Sequence, residues 1–424
     1  MMNNYKRIGD YIKSVKVFNS DLRAKELLGI NIDKFFMPSV ANVVGTDLSR
    51  YKIVEKNQFA CNRMHVGRDY RIPVALSDRD EPFMVSPAYD VFEIKDTSIL
   101  HPEYLMMWFS RAEFDRNAWF YTDADVRGGL AWKAFCDMQL PVPSIEKQRE
   151  IVKEYNTIVN RIKLNEQLNQ KLEETARAIY KHWFVDFEFP FDLCQSELVE
   201  DLTQIDYSKG YKSSGGEMVW NDELGKEVPV GWEVKPFTKV CSLKGGGTPS
   251  TLNDDYWNGD IFFFTPKDIN GSYYSIKTEK TISGEGLKNC SSKLYPKNTV
   301  YITARGTVGE ICLAGKEMAM NQSCYAIFNE NSKNQYFAHQ LTLETIKSLK
   351  EQAIGAVFKA LVTKDFDGQL VIQPKEYISD NYNNIVEPIY EQILNNVLQI
   401  NYLEEFKNLL LSKMTKVETE KEGI

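Results

Sequence analysis

The longest uninterrupted pattern of apolar and polar positions runs from Ile145 to Trp183, IEKQREIVKEYNTIVNRIKLNEQLNQKLEETARAIYKHW, without a proline or a glycine. Its apolar residues fall in two neighbouring heptad rows. One holds Ile151, Ile158, Asn165, Leu172 and Ile179, the other Tyr155, Ile162, Asn169, Ala176 and Trp183. A narrow stripe at this spacing predicts a long helix that buries one seam, with asparagines in its middle. Pro143-Ser144 supplies the entry, Ser144 being a suitable N-cap. A second such pattern runs from Glu376 to Lys416, with Val386, Ile393 and Ile400 in one row and Ile389, Asn396, Leu403 and Leu410 in the other. Pro388 either kinks that helix or marks a start nearby. An isolated helix cannot bury such a stripe, so the two are expected to pack antiparallel, a rod with one globular domain at each end. In the alternative, each helix packs on its own domain. The seam asparagines would fix register at some expense of stability.

Away from the helices the apolar runs are short, and those around two loops resemble each other. Tyr301-Ile302-Thr303 and Ile311-Cys312-Leu313 predict strands bracketing the loop Arg305 to Gly309. The loop's Arg-x-x-Val-Gly recurs at Arg63, Val66 and Gly67. The flanks agree in the same order: EKNQF with PKNTV, PAYDVF with SCYAIF, and Asp137-x-Gln139-Leu140 with Asp367-x-Gln369-Leu370. The offsets are too large for a solenoid repeat of about 20–50 residues, so a duplicated domain is expected. The chain then divides into a globular segment 1–143, a helix 144–183, a connecting segment 184–227, a second globular segment 228–374, and a helix with a tail 375–424. The fold class is mixed α/β: two duplicated globular domains separated by two long antiparallel helices. Asn258-Gly259 predicts a hairpin turn before a strand Ile261–Phe264. Gly245-Gly246-Gly247 is no phosphate loop, because the Gly-Lys-Ser/Thr ending is absent; a glycine-rich turn between strands fits better.

Charge changes the picture once it is placed along the chain. The formal net charge is −8, which taken alone disfavours a nucleic-acid partner. Residues 184–235, however, carry 12 acids against 4 bases, and residues 375–424 carry 9 against 5. The globular segments are neutral or slightly basic. Arg50 to Arg71 holds six bases against two acids, and Gly286 to Gly309 holds Lys288, Lys293, Lys297 and Arg305 against none. One such run is ordinarily a solvated face; two, at equivalent places in two similar segments, point to a polyanion. The seven cysteines never stand as Cys-x-x-Cys, which suits reduced thiols in a cytoplasmic protein and suggests no metal site. No apolar run approaches the ~18 residues of a membrane span, so no membrane partner is expected.

The phrases GGTPSTLNDDYWNGDIFFFTPKDI, ARGTVGEICLAG with MNQSCYAI, and QLPVPSIEKQREIV with LEETARAIYKHWFVDFEFP resemble the specificity subunit of type I restriction–modification enzymes. The resemblance extends over nearly the whole chain. It is weakest in residues 1–143, which lack the Gly-Trp-Glu and Gly-Gly-Thr-Pro-Ser phrases. It implies that 1–143 and 228–374 are target-recognition domains, each reading one half of a bipartite site in double-stranded DNA. The helices would set the spacer and dock two modification (methyltransferase) subunits through Ile151, Ile158, Leu172, Ile179, Ile393, Ile400 and Leu403. Restriction and motor subunits would complete the assembly, with S-adenosylmethionine, ATP and Mg on those partners and no cofactor on this chain. Arg63 and Arg305 are the first candidates for DNA contact, followed by Arg68, Arg71, Lys267 and Gln322, either at base edges or at phosphates. Two other classes remain to be weighed. A DNA methyltransferase with its own recognition domain would need an Asp/Asn-Pro-Pro-Tyr/Phe tetrapeptide for the flipped base, and no Pro-Pro occurs. A non-catalytic coiled-coil adaptor would leave the doubled basic loops without a purpose. No catalytic motif is visible, so the chain is expected not to be an enzyme.

Overall fold

The computed structural model describes residues 5–40, 45–64, 66–122, 128–194, 206–329, 334–352 and 360–416. Part of the expected acidic connecting segment, 195–205, and the end of the tail, 417–424, lie outside the described residues. Two compact units are present: Met1–Ile162 with Tyr402–Ile424, and Lys163–Asn401.

The first unit contains β1 (Tyr5–Arg7), β2 (Ile12–Val15), β3 (Phe59–Cys61), β4 (Val74–Leu76) and β5 (Asp90–Ile94). Helices α1 (Pro102–Phe109), α2 (Ala112–Phe120) and α3 (Trp132–Asp137) follow, then β6 (Gln139–Pro141) and the start of α4 (Ile145–Tyr180). The main sheet has the order β2-β5-β3-β4 and is antiparallel throughout, while β1 pairs with β6. Phe59, Phe92, Phe109 and Phe135 are fully buried, Phe59 stacking on Phe92 with centroids 5.0 Å apart. Ile151, Val152 and Tyr155 of α4, with Leu411 and Met414, close the same core. Burial of large side chains at this density, each contributing about 1.5–3 kcal/mol, explains why strands of three residues suffice.

The second unit contains β7 (Glu233–Pro236), β8 (Cys241–Gly245), β9 (Trp257–Phe264), β10 (Val300–Thr303), β11 (Ile311–Ala314), β12 (Met318–Met320) and β13 (Cys324–Asn329). These lead into α5 (Gln335–Gln352), α6 (Thr363–Asp367), β14 (Leu370–Gln373) and α7 (Glu376–Lys413). Here the main sheet has the order β8-β13-β10-β11, extended by the short strand Tyr274–Ser275, and β7 pairs with β14. Strands β9 and β12 belong to a separate three-stranded sheet. All four residues of β10 are buried, as a continuous apolar run requires of a strand covered on both faces.

Both long helices form where the periodicity places them. Ser144 caps the first, its hydroxyl accepting from the Lys147 amide at 3.3 Å. The helix α7 continues through Pro388 from a start at Glu376, so the proline is not its beginning. Within the second unit the seam is filled as the heptad rows require: Val386, Ile393 and Ala176 are fully buried in one core. The asparagines meet, Asn396 Nδ2 donating to Asn169 Oδ1 at 2.8 Å and Asn165 Nδ2 to Gln399 Oε1 at 3.3 Å. Such pairing satisfies polar groups that burial would otherwise penalise. One expectation fails. Asn258-Gly259 is not a hairpin turn but a bulge within β9, where the pairing with Lys280–Ile282 shifts register between Trp257 and Ile261. Asn258 takes a left-handed φ of 59° there, and a Cβ on Gly259 would lie 2.5 Å from Ser283 Cα. The dipeptide that suits a type I′ turn also suits a bulge with a close backbone neighbour.

Candidate nucleic-acid interface

In an antiparallel sheet, the C-terminal end of one strand lies beside the N-terminal end of the next. In the second unit Gly245 pairs with Tyr325, Thr303 with Cys324, and Ile302 with Ile311. The loop after β8, the turn before β13 and the loop joining β10 to β11 therefore emerge at one end of the sheet. That end carries Thr248, Gln322 and Arg305. Backbone hydrogen bonds tie the three segments together: Gly247 N to Met320 O at 3.1 Å, Ala304 N to Ser323 O at 2.7 Å, and Asn321 N to Phe264 O at 2.9 Å. The last brings in the end of β9, after which a capped turn (Pro266–Asp268) holds Lys267.

Arg305 is exposed, and no hydrogen bond or ion pair holds its guanidinium among the described residues. The loop that presents it turns through Gly306 and Gly309, both with φ near +80° (85° and 78°), a conformation glycine adopts without a Cβ penalty. Gln322 is exposed, and its Oε1 accepts from the Thr248 hydroxyl. Lys267 is 79% exposed and lies 3.7 Å from Glu279, a contact of small energy at that exposure.

The corresponding end of the first unit is built otherwise. Cys61 pairs with both Asp90 and Val74, so the loop joining β3 to β4 carries Arg63, Arg68 and Arg71. Arg63 Nε donates to Asp90 Oδ2 at 2.6 Å, Nη1 donates to the Leu130 carbonyl, and the guanidinium lies 5.5 Å from the Trp132 ring centroid. Only 19% of its side chain is exposed. The loop is also pinned by its backbone, Leu130 N to Arg63 O at 2.9 Å and Gly67 N to Gly128 O at 2.8 Å. A Cβ on Gly67 would fall 2.7 Å from Gly128 Cα. Among the described residues Arg68, 68% exposed, meets its neighbour Asp69 alone, at 2.7 and 3.1 Å. Arg71 reaches Asp33 at 2.8 Å and Asp115 at 3.7 Å. Behind it Asp115 forms a buried pair with Lys34 Nζ at 2.7 Å and accepts from the Ile72 amide at 3.1 Å.

The structure thus brings Arg305, Gln322 and Lys267 together at one sheet end, and Arg63, Arg68 and Arg71 on one loop at the equivalent end of the other unit. Sequence reasoning missed Thr248, Asp90 and Trp132. The Gly-Gly before Thr248 was the available signal, since adjacent glycines outside a phosphate loop mark a close backbone approach. The seam residues named for docking are used within the chain. Ile393 is fully buried and Ile158 nearly so, while Ile151, Leu172, Ile179, Ile400 and Leu403 are half-buried. Among the described residues no group of His, Cys, Asp and Glu could hold a metal ion, and no helix is long and apolar enough to cross a membrane.

Residues 229–401, which contain the face around Arg305, match the family model described as Type I restriction modification DNA specificity domain. The chain is 26% identical over 422 residues to the Type I restriction enzyme HindI specificity subunit of Haemophilus influenzae, with 90% of this chain and 91% of that protein covered. Residues 229–401 thus carry the DNA specificity domain of type I restriction–modification systems, and the chain as a whole is similar to their specificity subunits. Its task is DNA sequence recognition. The MjaIX specificity subunit of Methanocaldococcus jannaschii is 25% identical over 299 residues, covering 68% of this chain and 64% of that protein. The fold agrees with the crystal structure of the type I restriction–modification system S subunit from M. genitalium, at 14% identity and a TM-score of 0.54, with 98% and 97% of the two chains covered.

Proposed function

We propose that the two sheet-end faces each read one half of a bipartite site in double-stranded DNA, and that the two units are duplicate target-recognition domains (within 1–143 and 228–374). One observation carries this: the strand order β2-β5-β3-β4 of the first unit recurs as β8-β13-β10-β11 in the second. In both, the strand pairing between first and last segments (β1 with β6, β7 with β14) leads directly into a long helix, and the basic loop joins the same two strands. Arg305, Arg68 and Lys267 have the exposure and weak prior pairing that phosphate or base contacts need, and Gln322 offers a base-reading carboxamide. Arg71 can contribute by giving up exposed Asp33. Arg63 acts chiefly by holding its loop, because reaching DNA would break its bonds to Asp90 and Leu130.

In this reading the segments 144–183 and 375–424 form an antiparallel coiled-coil rod that fixes the spacer. Its seam is internal, so two modification subunits and the restriction subunits dock on the outward residues of the same helices. The chain is non-catalytic, and S-adenosylmethionine, ATP and Mg act on the partners, in the cytoplasm. The test is methylation mapping of the assembled methyltransferase with Arg305→Ala or Arg68→Ala. Arg305→Ala is expected to relax or weaken one half of the site only, and Arg68→Ala the other half only. Unchanged maps and unchanged affinity in both would reject these faces as the DNA contacts.

A further inference from the structure

We infer that Thr248 fixes the donor–acceptor sense of Gln322, and thereby which bases the second unit accepts at one position of its half-site. This rests on the reading of that face given above.

The Thr248 hydroxyl donates to Gln322 Oε1, and both side chains are exposed at the sheet end while the backbones beneath them are closely packed and hydrogen-bonded. On the Thr248 side, Gly246 and Gly247 press against neighbouring chain: a Cβ on Gly246 would lie 2.2 Å from Asn321 O, and one on Gly247 would lie 2.7 Å from Ser291 N. Pro249 follows and is buried, which holds Thr248 in the extended region. On the Gln322 side, the Asn321 side chain accepts from the Ser323 amide at 3.0 Å, and Ser323 O accepts from Ala304 N at 2.7 Å. Two fixed turns therefore carry one side-chain hydrogen bond between them.

A free carboxamide presents an acceptor and two donors and can turn to suit either arrangement. With its oxygen turned toward Thr248, Gln322 presents its NH2 end outward. In the major groove, two acceptors in a row belong to guanine (N7 and O6), and thymine offers one at O4. Adenine read by glutamine requires the oxygen and nitrogen ends together, and cytosine offers only a donor. Held in this way, Gln322 reads guanine best and thymine next. The device belongs to one unit alone. By the strand pairing, Cys324 stands opposite Thr303 as Asp90 stands opposite Cys61, so Gln322 corresponds to Ala88, which has no polar side chain.

The experiment uses the assembled methyltransferase and competition binding on duplexes varied one base pair at a time through the half-site read by the second unit. The parent is expected to favour guanine or thymine over adenine at one position by roughly tenfold or more. Thr248→Val, which keeps the shape and removes the hydroxyl, should erase or invert that preference there and leave the other positions unaltered. Thr248→Ser should restore it. Gln322→Glu, an acceptor only, should shift the same position toward cytosine. If Gln322→Ala relaxes one position but Thr248→Val changes nothing, or if the parent favours adenine there, the role of Thr248 is overturned while the reading of the face stands. If Gln322→Ala and Arg305→Ala both leave every position unchanged, the face itself has been misassigned and the inference falls with it.

Discussion

The loops after β3 and β10 share Arg-x-x-Val-Gly, yet they use it for different ends. In the first unit the arginine is turned inward, bonded to Asp90 and Leu130 and lying over Trp132. In the second, Arg305 is exposed and unpaired among the described residues. The cause is one position on the neighbouring strand: where Asp90 supplies a carboxylate, the second unit has Cys324, 1% exposed and uncharged. The glycines differ as well. Gly67 is needed because Gly128 backbone lies against it, whereas Gly309 is needed for its positive φ. A shared motif thus accompanies a shared strand order, and the residue across the strand decides whether its arginine is held inward or left exposed.

The largest effect that separates these roles is on stability. Arg63→Ala removes a charged hydrogen bond and leaves Asp90 half-buried and unpaired, which should lower the stability of its unit by about 2 kcal/mol. For a unit of this size that is a fall of roughly 4–8 °C in melting temperature by calorimetry. Arg305→Ala should leave the melting temperature unchanged and instead lower specific DNA affinity, by about 1–3 kcal/mol if it reads a base. If it meets only phosphate, the loss is the same for all sequences, and the salt slope falls by about 1. Equal melting losses in both variants would erase the distinction.

Asp90→Asn sharpens the comparison by releasing Arg63 without changing shape. Melting should fall by less than in Arg63→Ala, because the asparagine oxygen can still accept a hydrogen bond. The salt slope of DNA binding should rise by up to about 1 as the freed guanidinium meets phosphate. A slope that stays at the parental value would mean that Arg63 lies out of reach of DNA.

A control on the helices comes next. Replacing Asn169 and Asn396 together with Leu removes a buried polar pair, which is expected to raise the melting temperature of the second unit slightly while leaving both half-site sequences unread by these residues unchanged. A change in either half-site would show that the seam, and not the loops alone, takes part in reading.

The smallest effect is on pH dependence. Glu173, on α4, has its carboxyl pushed up to about 7, chiefly by burial and against the opposing influences of the Tyr273 backbone and Arg177. The folded state therefore binds more protons than the unfolded chain between the ordinary carboxylate range and pH 7, so this group's contribution falls as pH rises through that window. Glu173→Gln should flatten the slope, gaining on the parent most above pH 7 and least near pH 4.5. Parallel melting curves across that range would remove the effect.

The elements legible in the sequence were those whose signal is periodic or repeated. The heptad rows gave the long helices and their buried asparagines because burial of a stripe is a property of spacing alone. The strands around Arg305 were legible because apolar runs flank a glycine-punctuated loop. What escaped was set by contacts distant in sequence. Nothing in the run around Arg63 tells that Asp90 and Leu130 will surround its guanidinium, and the match of PAYDVF to SCYAIF misaligns by two residues the pair, Asp90 and Cys324, that separates the loops. Asn258-Gly259 misled because its local preference for a left-handed residue is the same in a bulge as in a turn.

The most direct test of two separate reading faces is photo-cross-linking. A photoreactive side chain is placed at position 322 or at position 68 of the chain, within the assembled methyltransferase bound to its site, and the cross-linked bases are mapped. The account predicts cross-links from position 322 confined to one half of the site and from position 68 confined to the other half. Cross-links from both positions to the same half, or only to the unread gap between halves, would contradict it.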